Sequence, residues 1–120
     1  MKVTIDYLPP SVNAYWKKGR GGNIYRTQEA TNWLTYASAI IRQKKRTLFE
    51  TPVEIYITVN YENEKRDLDG FCKLTLDCLQ YAGVIKNDNL RYVHNIFLYK
   101  GERQPKGKGS LEVEVVEIEK

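Results

Sequence analysis

The sequence predicts a single α+β domain of the mixed α/β kind, a mixed sheet packed with two main helices in the order β-α-β-α-β-β. Two runs carry a period of two. In "PVEIYITVNYE", Val53, Ile55, Ile57, Val59 and Tyr61 alternate with Glu54, Tyr56, Thr58 and Asn60, and "LEVEVVEIE" repeats the pattern with Leu111, Val113 and Val115 inward. Two other runs carry the helical period. A length of 120 residues, 42% of them hydrophobic and 28% charged, suits one core and is too short for two, so the expected domain is 1–120.

Taken in order, "KVTIDYL" alternates Val3, Ile5 and Tyr7, a strand stopped by Pro9 and Pro10. The segment "KKGRGGNIYR" is rich in glycine and cations but lacks phosphate-loop spacing, which predicts a mobile basic hairpin or flap. From Thr27 to about Arg46, residues Ala30, Trp33, Leu34, Ala37, Ile40 and Ile41 fall on one helical face, and the last turn is cationic. After the Val53 strand, a second helix is expected over about 68–82, ended by Gly83 at C′. Then "LRYVHNIFLYK" reads as a strand, "GERQPKGKGS" as a basic loop and "LEVEVVEIE" as the closing strand.

The net charge of +4 is unevenly placed, since residues 1–50 hold nine cations and three acids. That asymmetry suits a polyanion, although a solvated lysine surface would produce it too. No tripartite leader and no run of about twenty apolar residues is present, so a cytoplasmic protein without a membrane partner is expected. Cys72 and Cys78, six apart on one helix, are beyond disulfide reach and read as reduced core residues. His94 has no second imidazole or clustered thiols beside it, which argues for a strand residue and against a zinc ligand.

The densest chemistry lies in "KRDLDGFCKLTLD", which crowds three aspartates and three cations into residues 65–77. On a helical wheel Phe71, Leu74, Thr75, Cys78, Leu79 and Ala82 share one arc, and Asp69, Lys73, Asp77 and Gln80 form a polar stripe opposite. One reading is structural: Asp67 or Asp69 caps the helix, and Lys73 bridges Asp69 and Asp77 at i,i+4 spacing, each pair worth about 0.3–0.5 kcal/mol. The other is that Asp67 and Asp69 converge on a hard divalent cation, for which a few carboxylates suffice when phosphate completes the shell. Asp88, after a turn-like Lys86-Asn87, means little alone.

Together, "PPSVNAYW" (9–16) and "RDLDGFCKLTLDCLQYAGVIKND" (66–88) resemble the RusA family of Holliday junction resolvases. The resemblance rests on Arg66, the Asp67-x-Asp69 pair, Lys73, Asp77, Leu79, Ala82-Gly83 and Asp88. It departs at Gly70, where the family commonly has Asn, and at Asn87, where it often has a second Asp. It implies a Mg²⁺-dependent endonuclease, with Mn²⁺ as a possible substitute, that acts as a homodimer on branched DNA. Asp67, Asp69 and Asp88 would hold the metal, Lys73 would stabilise charge on phosphate, and Asp77 would orient Lys73. Lys17, Lys18, Arg20, Arg26, Lys44, Lys45, Arg46, Arg66, Lys106 and Lys108 would contact the DNA backbone. The alternative is a basic nucleic-acid-binding module without catalysis.

Chain length adds one expectation. Asp69 and Ala82 lie thirteen residues apart, about 20 Å along a helix, and the six residues from Ala82 to Asp88 span at most about 20 Å fully extended. The return within one subunit looks strained, so each site is expected to join Asp67 and Asp69 to the partner's Asp88 across a two-fold axis.

Overall fold

The computed structural model describes residues 1–44 and 48–118. The main elements are β1 (Lys2–Ile5), α1 (Val12–Tyr15), β2 (Trp16–Lys18), β3 (Ile24–Arg26), α2 (Gln28–Lys44), β4 (Val53–Asn60), α3 (Gly70–Tyr81), β5 (Val93–Lys100) and β6 (Ser110–Glu117). The larger sheet has the order β1-β6-β4-β5. β6 pairs antiparallel with both β1 and β4, and β4 pairs parallel with β5, so the sheet is mixed as its sequence predicts.

Alternation fixes which face is buried. Val53, Ile55, Ile57 and Val59 of β4 and Leu111, Val113 and Val115 of β6 are all buried, and the register sets Ile57 opposite Val113 and Ile55 opposite Val115. Against this face α2 contributes Ala30, Trp33, Leu34, Ala37 and Ile41, and α3 contributes Phe71, Leu74, Cys78 and Leu79. Cys78 is buried, Cys72 half-buried, and both are free thiols.

Two local expectations change. β1 stops at Ile5, and Tyr7 is 53% exposed, stacked edge-on against Tyr36 rather than turned inward. The loop after Pro10 holds a one-turn helix, α1, whose Ala14 N–H donates to the Ser11 hydroxyl at 3.3 Å. The basic segment is indeed a hairpin, with β2 paired to β3. The Thr27 hydroxyl caps α2 by accepting from Ala30 N–H at 3.2 Å, and the expected end of that helix at Lys45 and Arg46 lies outside the described residues. β5 is an exposed edge strand carrying His94, as expected of a strand residue. Among the described residues no helix is long and apolar enough to cross a membrane.

Candidate active site

The loop from 61 to 69 leaves the carboxyl end of β4 and turns directly into α3. Its turn is closed by the backbone: Gly70 N–H donates to Asp67 C=O at 3.2 Å, Phe71 N–H to Leu68 C=O at 3.2 Å and Cys72 N–H to Asp69 C=O at 3.1 Å. Main-chain carbonyls therefore meet the first amides of the helix, and no carboxylate is needed as a cap. Asp69 occupies the cap position with helical dihedrals and makes no side-chain cap bond, contrary to the expectation of an acidic cap. Among the described residues, neither the Asp67 nor the Asp69 carboxylate has a hydrogen bond or ion pair. Both line an open cleft with Ser11, Asn13, Arg66 and Lys73. A Cβ on Gly70 would meet only Val12 Cγ2 at 3.5 Å, an ordinary contact, so crowding does not require glycine there.

Lys73 does not bridge Asp69 and Asp77. Its Nζ lies 3.1 Å from Asp77 Oδ1 and 2.6 Å from Asp88 Oδ2 of the same chain. Asp88 reaches it because α3 ends in a tight reversal. Gly83 takes φ of 80°, its N–H donates to Gln80 C=O at 3.1 Å, and Val84 N–H donates to Leu79 C=O at 2.9 Å, the paired bonds of a Schellman motif. The returning strand is pinned where Phe49 N–H donates to Val84 C=O at 2.9 Å and by buried Val84 and Ile85. The Asn87 side chain then accepts from Asn89 N–H at 3.0 Å, a turn that presents Asp88 toward the helix.

Asp88 thus reaches Lys73 within one chain, and the reach argument does not by itself require the partner's Asp88. The reach argument measured to the Asp69 backbone, whereas Asp88 needs only to meet the end of a long lysine side chain one turn into the helix. Both Asp69 and Asp88 also act on the Cys72 thiol, which burial chiefly and these two charges secondarily push up while Lys73 pulls it down. The two acids thus bear on the same first turn of α3. Burial pushes the Cys78 thiol up to about 12.

Among the described residues no three His, Cys, Asp or Glu side chains form a ready-made metal cluster. The donor chemistry nonetheless fits a hard divalent cation. Asp67 and Asp69 offer carboxylate oxygens to one open cleft, and Asp88 is bonded to Lys73, which lines the same cleft. His94 stands on β5, and Cys72 and Cys78 on α3.

The cations flank this cleft unevenly. Lys17, Lys18 and Arg26 stand exposed on the β2–β3 hairpin and Arg20 at its tip, and Arg26 lines a second cleft with Tyr15, Asp77 and Gln80 along the polar face of α3. Lys106 and Lys108 are exposed on the loop that Glu62 holds by accepting from Gly107 N–H at 2.8 Å and Gly109 N–H at 3.0 Å. Lys44 is exposed at the end of α2, and no contact ties it to the cleft. Lys45 and Arg46 lie outside the described residues. Among the described residues none of these cations forms an ion pair. Arg66 differs, being half-buried with its guanidinium 4.2 Å from the Phe71 ring centroid. Sequence reasoning did not assign Ser11 and Asn13 to the cleft, although both lie in the "PPSVNAYW" stretch that carries part of the resemblance.

A small α+β domain with unpaired carboxylates at a helix mouth, a lysine beside them and unpaired cations around is built as nucleases of phosphodiester chains are. Comparison with known proteins carries this further: the sequence model described as "Endodeoxyribonuclease RusA" matches residues 6–116. The chain belongs to the RusA family of Holliday junction-resolving endodeoxyribonucleases. It is 33% identical over 100 residues to the crossover junction endodeoxyribonuclease RusA of Aquifex aeolicus strain VF5, covering 80% of this chain and 79% of that protein. It is 30% identical over 113 residues to the crossover junction endodeoxyribonuclease of Enterobacteria phage HK97, covering 92% of this chain and 90% of that protein. Nucleases of this family are in general divalent-metal-dependent and bind branched DNA junctions.

Proposed function

We propose that this chain resolves four-way DNA junctions in the cytoplasm as a homodimer, by hydrolysing phosphodiester bonds with Mg²⁺, or Mn²⁺ in its place. The observation that carries the reading is the pair of unpartnered carboxylates, Asp67 and Asp69, facing one open cleft with Lys73. These two and Asp88 would hold the cation, which when bound polarises the scissile phosphate and lowers the pKa of an attacking water. Lys73 holds a positive charge at the cleft. The hydrogen bond to Asp88 and then that to Asp77 raise its pKa above the usual lysine value and so favour the ammonium form. Its charge is placed to stabilise the phosphate as negative charge develops there. Asp77, bonded to the same ammonium, positions it.

The Lys73–Asp88 contact is weak enough to exchange. Lys73 is 65% exposed on its side chain, and ion pairs of that kind contribute about 0–1 kcal/mol. Asp88 can therefore turn to another cation at little cost. The hairpin cations Lys17, Lys18, Arg20 and Arg26, with Lys106 and Lys108, would hold the phosphate chain without reading sequence. Cleavage of a four-way junction against linear duplex, with and without Mg²⁺, tests the reading. Metal-dependent cutting of the junction supports it, and salt-dependent binding without cutting would leave a non-catalytic binding module.

A further inference from the structure

We infer that a second cleft, sharing Arg66 with the acidic one, receives a single unstacked nucleobase of the branched DNA; the inference rests on the nuclease reading above. The cleft, about 170 Å³ in volume, is lined by Val59, Tyr61, Asn63, Arg66, Leu68 and Lys100 among others. Its floor is flat and cationic. The Arg66 guanidinium lies 4.2 Å from the centroid of Phe71, a ring only 2% exposed, and Lys100 Nζ lies 5.1 Å from the centroid of Tyr61. One face of the guanidinium plane is thus already stacked, and Arg66 also lines the cleft.

The nearby acids do not oppose a nucleic acid. Glu64 is engaged by Lys100 at 3.0 Å and Arg103 at 4.0 Å, and Glu62 accepts two backbone amides. What is left open is an apolar wall from Val59, Tyr61 and Leu68 beside a planar cation. Lys100 is already engaged by Glu64, so a phosphate would find Arg66 and Asn63 beside an otherwise apolar wall. A base finds a stacking surface on arginine and aromatic faces, the means by which single-stranded bases are held irrespective of sequence. Duplex DNA cannot fill the cleft without unstacking a base, and that step costs least where pairing is already disturbed, as at a branch point. Arg66 precedes Asp67 in the chain, so the base would flank the phosphate held at the acidic cleft.

The test is binding in EDTA, where no strand is cut, to four-way junctions carrying one abasic site at each nucleotide flanking the branch in turn. For the unaltered protein one abasic position should lower affinity on the order of tenfold. Arg66→Lys, which keeps the charge and removes the plane, should weaken binding to the intact junction by a similar factor and leave the affinity for that abasic junction unchanged. Leu68→Ala, at a position 37% exposed and so tolerant of truncation, should show the same coincidence of losses. Losses that multiply, or the lack of any sensitive abasic position, would overturn the inference. An unaltered protein that does not prefer the junction to linear duplex would bring down the nuclease reading first, and this inference with it.

Discussion

Lys73 Nζ lies 2.6 Å from Asp88 Oδ2, across fifteen residues that complete a helix and double back along it. The ammonium also touches Asp77, 3.1 Å away on the next turn. An ion pair this exposed adds little to stability, so its consequence is positional: Lys73, which lines the acidic cleft, holds two further carboxylates beside it.

Replacing Lys73 with alanine should therefore slow chemistry far more than it unfolds the protein or releases DNA. Single-turnover cleavage at saturating protein is expected to fall about 100-fold, the scale for removing one preorganised charge, with junction affinity changed less than about threefold. Asp77→Asn leaves Asp88 to hold the ammonium and should cost less. An unchanged single-turnover rate in Lys73→Ala would remove the lysine from the reaction.

Asp67→Asn and Asp69→Asn each delete a charge from side chains that, among the described residues, make no hydrogen bond or ion pair. Folding should be indifferent, cleavage should drop by more than about 100-fold, and junction binding should hold or tighten because repulsion of phosphate is relieved. Gel-shift and cleavage assays on the same preparations decide this, and a parallel loss of binding would argue against a metal-ligand role.

The alternation of β4 and β6 and the buried arcs of α2 and α3 were legible in the sequence, because burial on one face imposes its period directly. The site residues were legible as residue types at spacings, but their mutual arrangement was not. Where Asp88 comes to rest depends on Gly83 adopting a left-handed turn and on Val84 and Ile85 finding a buried berth beside Phe49, both tertiary outcomes. The acidic cap failed for a local reason, since the carbonyls of Asp67, Leu68 and Asp69 satisfy the same amides. Tyr7 follows the strand period on paper, but β1 ends at Ile5, and the chain there makes side contacts instead: Trp33 Nε1–H donates to Tyr7 C=O at 2.9 Å, and Tyr36 O–H to Asp6 at 2.8 Å.

Gly83→Ala tests whether the reversal positions Asp88. At φ of 80° an alanine is strained, at a cost of about 1–2 kcal/mol. The melting temperature should fall by several degrees, and cleavage measured well below that temperature should fall as well. Full activity in the folded variant would show that the turn stabilises the fold without serving the site.

Alkaline stability should report the buried thiol. Cys78 has a folded pKa raised from 9.0 to about 12 by burial, so its neutral form is favoured in the native state. A raised folded pKa contributes stability that is complete below the unfolded value and is lost as pH rises through the folded one. The window therefore runs from about 9 to about 12, with a slope of about 1.4 kcal/mol per pH unit for one proton. Unfolding free energies from denaturant titrations should hold from pH 8 to about 9 and decline with that slope toward pH 11, and Cys78→Ala should flatten the decline while lowering stability at pH 8 through the lost side-chain packing. A slope that survives the substitution would place the titration elsewhere.

The last prediction concerns which chain completes each site. Asp88 meets Lys73 of its own subunit, and Lys73 shares a cleft with Asp67 and Asp69, an arrangement that favours acids drawn from a single polypeptide. Mixing inactive Asp69→Asn and Asp88→Asn proteins and allowing subunits to exchange would produce heterodimers in which each site still carries one damaged acid. No nicking should return. A site shared across a two-fold axis gives the opposite result, since one of its two centres would be fully native and the other doubly damaged, restoring single-strand nicks without paired cleavage. Subunit exchange must be shown independently, for example by energy transfer between differently labelled chains. With exchange established, recovered nicking would mean that the Lys73–Asp88 contact gives way to an arrangement between subunits when DNA is bound, and continued silence would confirm a site made within one chain.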